Sequence, residues 1–192
     1  MVLDERSLIV SSKATRGMLD SVYNGASLFL VAGGDLLKNI VPNNAFKLPW
    51  WMAQDFFYIS GSNNTQISNC VENHPSLRDI PHDGFWDLNL YRLVHGQHAF
   101  HAGLANIQVD SPLYGVNQDF EKLSYLFEFK AGKGKVLVST LDFSRQNMLH
   151  PEVHYMFTAL ANYCCSDRFE PVHTLKAEVF ERLLNTIIQE GC

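Results

Sequence analysis

The sequence is sparing in charge and in cysteine, and it has no long apolar run. Only 18% of its 192 residues are Asp, Glu, Lys or Arg, no local cluster of Lys or Arg stands out, and the formal net charge is −5. With an isoelectric point near 5.9, nothing in this balance attracts a phosphate backbone or an anionic bilayer, so neither nucleic acid nor a membrane is an expected partner. The longest apolar stretch near the N-terminus, Ala26–Ala32, falls far short of the roughly 20 residues a membrane-spanning helix needs. The opening MVLDERS lacks the basic region and cleavage pattern of a signal peptide, and the expectation is a soluble, unexported, cytoplasmic chain. The four cysteines, Cys70, Cys164, Cys165 and Cys192, include no C-x-x-C pair, and adjacent Cys164 and Cys165 are poor disulfide partners, which fits reduced thiols.

Catalytic signatures are missing too. There is no G-x-S-x-G or G-x-C-x-G elbow, and Cys164 and Cys165 fall at the end of an expected helix, where they read as core or near-surface thiols. Gly132-Lys133-Gly134 has the glycines of a phosphate loop, but a strand follows it where a helix is required and no G-K-[ST] closes it; it reads as a hairpin turn. His95, His98 and His101 lie three apart, yet Gly96 and Gly103 interrupt a helix there and no carboxylate or thiolate completes a zinc set, so they read as structural or solvent-facing. His74-Pro75 reads as a turn or helix start. The carboxylate pairs Asp83 with Asp87 and Asp110 with Asp119 read as solvated loop residues, since spacing alone selects neither for acid–base work. No catalytic residue, cofactor or metal ligand is assigned.

What is present is the material of one α/β domain, with 46% apolar residues. Ser7–Val10 reads as a buried strand, Ala14–Tyr23 as a helix stopped by Asn24-Gly25, and Ser27–Ala32 as a second buried strand: a βαβ unit, followed by a short helical turn at Leu36–Ile40. Tyr125–Lys130 and Lys135–Leu141 read as an antiparallel hairpin inside the run Leu123–Phe143, whose second apolar segment ends on Asp142. Pro151 and Glu152 open a helix with a stripe of Val153, Met156, Phe157, Leu160 and Ala161. A last helix is expected over Leu175–Gln189, with Glu178 and Arg182 paired on its outer face. The middle, Val41–Phe120, has no sustained period and reads as long, ordered, aromatic-rich loops with short elements, among them a strand at Ile107–Asp110.

The aromatic pairs Trp50-Trp51 and Phe85-Trp86 are the candidate contact residues. They either pack inside, meet a neighbouring domain, or form a stacking platform for the C–H faces of a sugar, with Asn89, His95 and Asp83 as polar neighbours.

The segments GASLFLVAGG, LPWWMAQDFF, NHPSLRDIPHDGFWDLNLYRL, LSYLFEFKAGKGKVLVSTLDFS and HPEVHYMFTALANYCCSDRF occur in the order found in the C-terminal class I glutamine amidotransferase-like domain of bacterial glycoside hydrolase family 2 proteins, which the chain resembles over roughly Leu3 to Phe169. The resemblance implies a flavodoxin-like, amidotransferase-like three-layer α/β sandwich with a mostly parallel sheet and an antiparallel hairpin. It implies one domain over residues 1–192, a C-terminal fragment of a larger glycosidase whose acid and nucleophile lie in a separate barrel. Lacking the nucleophile elbow, the chain is then expected to be a non-catalytic accessory or assembly domain in carbohydrate metabolism. Its expected partners are the other domains of the parent glycosidase, a second copy of itself, or carbohydrate. The rival readings are a carbohydrate-binding module using the aromatic loops and a self-contained hydrolase using Asp or His groups.

Overall fold

The computed structural model of the chain describes residues 7–13, 15–33, 45–47, 69–85, 91–116 and 120–187. Its first three elements are the βαβ unit read from the sequence: β1 (Leu8–Ser11), α1 (Arg16–Tyr23) and β2 (Ser27–Val31), with β1 and β2 parallel and Leu8 opposite Ser27. Thr15 caps α1 by accepting the Met18 amide, and the chain leaves the helix through Asn24 and Gly25, whose φ of 121° favours glycine.

Then come β3 (Phe46–Lys47), β4 (Asn69–Val71), a 3-10 turn (Pro75–Leu77), α2 (Tyr91–Val94), β5 (Ala99–Phe100), α3 (Ala102–Ala105) and β6 (Asp110–Val116). The hairpin follows as β7 (Lys122–Ala131) and β8 (Gly134–Ser139). A second 3-10 turn (Asn147–Leu149), α4 (Pro151–Cys165), β9 (Thr174–Leu175) and α5 (Ala177–Ile187) complete the described chain.

The nine described strands form one sheet, ordered β1-β2-β8-β7-β5-β3, with β6 and β9 also on β7 and β4 on β6. β1, β2 and β8 are mutually parallel, as are β7 and β9, whereas β7–β8, β6–β7, β4–β6, β5–β7 and β3–β5 are antiparallel. The expected mostly parallel sheet is therefore mixed: one parallel side and one antiparallel side meet at the β7–β8 hairpin. Gly132, at φ 60°, makes the tight turn of that hairpin.

Side chains alternate across the sheet into two cores. Leu28 and Leu30 of β2, Val136 and Val138 of β8, and Phe127 and Phe129 of β7 pack with Leu19 and Val22 of α1 and Phe180 and Leu183 of α5. Phe29, Leu137 and Leu126 project to the other face, against Val153, Met156, Leu160 and Tyr163 of α4. Helices thus cover both faces, and the continuous apolar character of β2 and β8 follows from burial on both sides. Each fully buried Phe or Leu contributes about 1.5–3 kcal/mol. On the α1/α5 face the rings of Phe100, Phe127, Phe129 and Phe180 form a line, starting with a stacked pair at 4.4 Å.

Two sequence expectations shift. The strand expected at Ile107–Asp110 begins where that segment ends, at Asp110. Pro112 and Gly115 hid it, because the register slip between Asp110 and Leu113 places Pro112 at a bulge, where a missing N–H is tolerated. A second slip leaves the adjacent residues Tyr125 and Leu126 in the same core. The expected helix start at Leu175 is instead β9, whose Leu175 pairs with Ala131 while its side chain joins the α1/α5 core, which extends the apolar stripe backwards. The expected turn at Leu36–Ile40 lies outside the described residues.

Gly134 is held where α1 turns into β2, and a Cβ there would overlap the carbonyl oxygens of Val22 and Ala26, both fixed backbone. Gly17 on the exposed side of α1 has open space. Gly134→Ala is expected to lower stability by about 1–3 kcal/mol, and Gly17→Ala to raise it by about 0.5–1 kcal/mol. Chemical denaturation of the two variants beside the wild type checks the opposite signs.

Candidate functional site

Two polar constellations stand out on this scaffold. The first is an open cleft of about 630 Å³ lined by Tyr91, Arg92, His95, Gly96, Gln97, Asp142 and Asn147. It lies beyond the carboxyl end of β8, whose neighbour β2 runs parallel to it, and open α/β sheets use this edge for ligands. The chain leaving β8 is pinned at each step. Thr140 N–H donates to Tyr125 O at 2.8 Å, Leu141 N–H to the buried Ser139 Oγ at 3.2 Å, and Asp142 N–H to Leu93 O in α2 at 2.9 Å. Asp142 Oδ1 then accepts the Ser144 N–H at 2.9 Å, and the Asn147 amide donates to Asp142 O and Arg92 O. A Cβ on Gly33, at the end of β2, would overlap Leu141 O, so the two strand ends close against each other beside the cleft. On the α2 side the rings of Tyr91 and His95 lie 4.9 Å apart, and Gly96 turns the chain at φ 71°.

The second constellation is buried. Glu128, near the middle of β7, is only 1% exposed. The Tyr163 hydroxyl on α4 lies 3.0 Å from both of its carboxyl oxygens. His74 Nε2 sits 3.6 Å from Oε1, while its Nδ1 accepts the Ser76 N–H and so caps the first 3-10 turn. Asp110 stands opposite Glu128 in the β6–β7 register, accepts the Val172 N–H at 2.7 Å, and lies 3.5 Å from His173. Burial pushes the Glu128 carboxyl up to about 8; Asp110 adds to this, while the Tyr163 hydrogen bond and Lys135 oppose it. Burial also lowers His74 and raises the Tyr163 phenol and the Cys164 thiol, the last two with help from Glu128. At neutral pH the cluster thus holds a protonated Glu128, a neutral His74 and a thiol, a set with little charge to desolvate.

Of the residues singled out from sequence, Phe85 is 59% exposed and bridges to Cys70 at the margin of the sheet. Trp50, Trp51 and Trp86 lie outside the described residues, as do Asn89, Asp87 and Asp119. His95 lines the cleft; His101 caps α3 by accepting the Leu104 N–H, and His74 caps a turn as its His-Pro pair suggests. Asp110 is not the solvated loop carboxylate expected from spacing: it is a strand residue held by a backbone amide. Sequence reasoning missed Glu128, although a lone acid within an otherwise apolar strand is a legible sign of a buried polar contact. It also passed over Asp142, Arg92 and Asn147, which come together only through the fold.

Among the described residues no group of three or more His, Cys, Asp or Glu is placed to hold a metal ion, and no helix is long and apolar enough to cross a membrane. Cys70, Cys164 and Cys165 are free.

These features define a mixed-sheet α/β domain with a strand-end cleft. The chain matches the family described as Domain of unknown function (DUF8487) over residues 9–185 and belongs to it. No curated protein matches the chain.

Glu128 gives stability a definite pH dependence. Its folded pKa near 8 lies above the 4.5 of an unperturbed glutamate, so between those values the folded state holds the extra proton and stability falls as pH rises, with no contribution to the slope from this group below or above that window. At roughly 1.4 kcal/mol per pKa unit the fall is on the order of a few kcal/mol. Glu128→Gln is expected to flatten it. The lowered pKa of His74 acts in the opposite sense at more acid pH and is common to both proteins, so the difference between their denaturation curves from pH 5 to 8.5 isolates Glu128.

Proposed function

We propose that this chain is a non-catalytic accessory or assembly domain of a glycoside hydrolase family 2-type protein, flavodoxin-like in architecture, which docks against other domains of its parent polypeptide. The observation that carries the reading is Phe85, one of the four aromatics named from sequence, which is 59% exposed on the short bridge to Cys70. A phenylalanine left in water at the sheet margin suits a surface completed by a partner. The parallel strands β1, β2 and β8 with helices on both faces support the flavodoxin-like assignment. The state of Cys164 supports the non-catalytic part, because a thiol on the buried face of α4 with a raised pKa is the reverse of an activated nucleophile.

The purified chain is expected to turn over neither chromogenic glycosides nor glutamine; saturable turnover of either would overturn the reading. Phe85→Ser is expected to change the stability of the isolated domain by no more than about 0.5 kcal/mol, and to weaken its association with the catalytic barrel of its own polypeptide in a pull-down. Unchanged association would remove Phe85 from the interface.

A further inference from the structure

The geometry points to the cleft beyond β8 as a binding site for a small, neutral, polyhydroxylated ring, a sugar or a cyclic polyol, seated on Tyr91 and His95 and held by Asp142 and Arg92. This assignment does not depend on the domain's place in a larger enzyme, and it uses none of the four aromatics Trp50, Trp51, Phe85 and Trp86.

Three observations carry it. The first is size: about 630 Å³ lies within the range of roughly 300–1,000 Å³ typical of small-molecule sites, and the cleft opens to solvent, so a ring extended into a longer chain can leave it. The second is preorganisation. Asp142 is fixed on both sides by backbone hydrogen bonds, to Leu93 O from its own amide and from the Ser144 N–H to its Oδ1, and Asn147 ties the same loop to α2. A ligand entering the cleft therefore meets a wall whose ordering cost has been met by folding.

The third is chemistry. The lining carries one cation, Arg92, and one anion, Asp142, and Arg92 is additionally 3.8 Å from Glu152, so the cleft offers no surplus positive charge to a phosphate or carboxylate ligand. What it does offer is a carboxylate and a guanidinium, which engage vicinal hydroxyls, and a tilted aromatic pair that matches the C–H face of a ring.

The test is amide-resolved NMR titration of the full chain with glucose, galactose, mannose, lactose, cellobiose and myo-inositol, with inorganic phosphate as the anionic control. At least one neutral ligand is expected to give saturable shifts, with Kd on the order of millimolar, centred on residues 91–97 and 142–147. Asp142→Asn, which keeps an oxygen for the Ser144 amide, and Tyr91→Ala are each expected to weaken that binding about tenfold while the remaining spectrum stays folded. Response to the sugars alone identifies a saccharide site, and response to inositol as well identifies a polyol site; both support the assignment. No saturable shift with any neutral ligand up to roughly 50 mM, tighter binding of phosphate, shifts centred elsewhere, or wild-type affinity in both variants would overturn it. A sugar site can fail this test while the docking role stands, because docking is read by association through Phe85.

Discussion

Strand β7 is the constraint on which the rest of the structure depends. It is ten residues long, and both of its edges are occupied along its length: β8 and β5 on one, β6 and β9 on the other. Leu123 to Phe129 are all buried, so the strand has no solvated face and no free edge there. The parallel strands β1 and β2 reach it through β8, its antiparallel hairpin partner, while β9 joins it directly in parallel and β5 and β6 pair with it antiparallel. The slip that places both Tyr125 and Leu126 in the α4 core also sets which face Phe127 and Glu128 present, so a change of register at this point would exchange the two cores.

Glu128 is the exception on that strand, and its surroundings explain how it is tolerated. An ionised carboxylate at 1% exposure would be costly, and the arrangement avoids the charge by keeping the proton and supplying the Tyr163 hydroxyl as partner. The contact has a geometric consequence. Tyr163 fixes the rotation of α4 about its own axis, and His74, turned toward the same carboxyl group, fixes the 3-10 turn that carries Leu77 into the core. The polar cluster is best understood as a register device between sheet, helix and turn, with the strand-end cleft as the part of the molecule open to a ligand.

The parts of the fold legible in sequence were those where local pattern and tertiary role coincide. β1, α1 and β2, the β7–β8 hairpin and α4 follow from apolar period, caps and the Gly-Lys-Gly turn. The middle was illegible for a physical reason: β3, β4 and β5 are only two or three residues long, α2 and α3 only four, and β6 contains a proline at its bulge, so none repeats long enough to show a period. The cleft was legible only in His95. Asp142, Arg92 and Asn147 are joined by the Asp142 N–H donating to Leu93 O and the Asn147 side-chain amide donating to Arg92 O, contacts between segments some 50 residues apart that no local spacing encodes.

The same pinning makes the segment after β8 a loop in conformation but a rigid element in energetics, and the account of the cleft as a preformed site rests on that rigidity. Native-state amide hydrogen exchange tests it most directly. The amides of Phe127, Phe129, Val136 and Val138 should form the slowest class, opening only with global unfolding, and those of Thr140 and Asp142 should be strongly protected despite lying outside any strand. Exchange of Thr140 and Asp142 at the rate of an unstructured peptide, with β7 and β8 still protected, would contradict a preformed cleft built on the central hairpin.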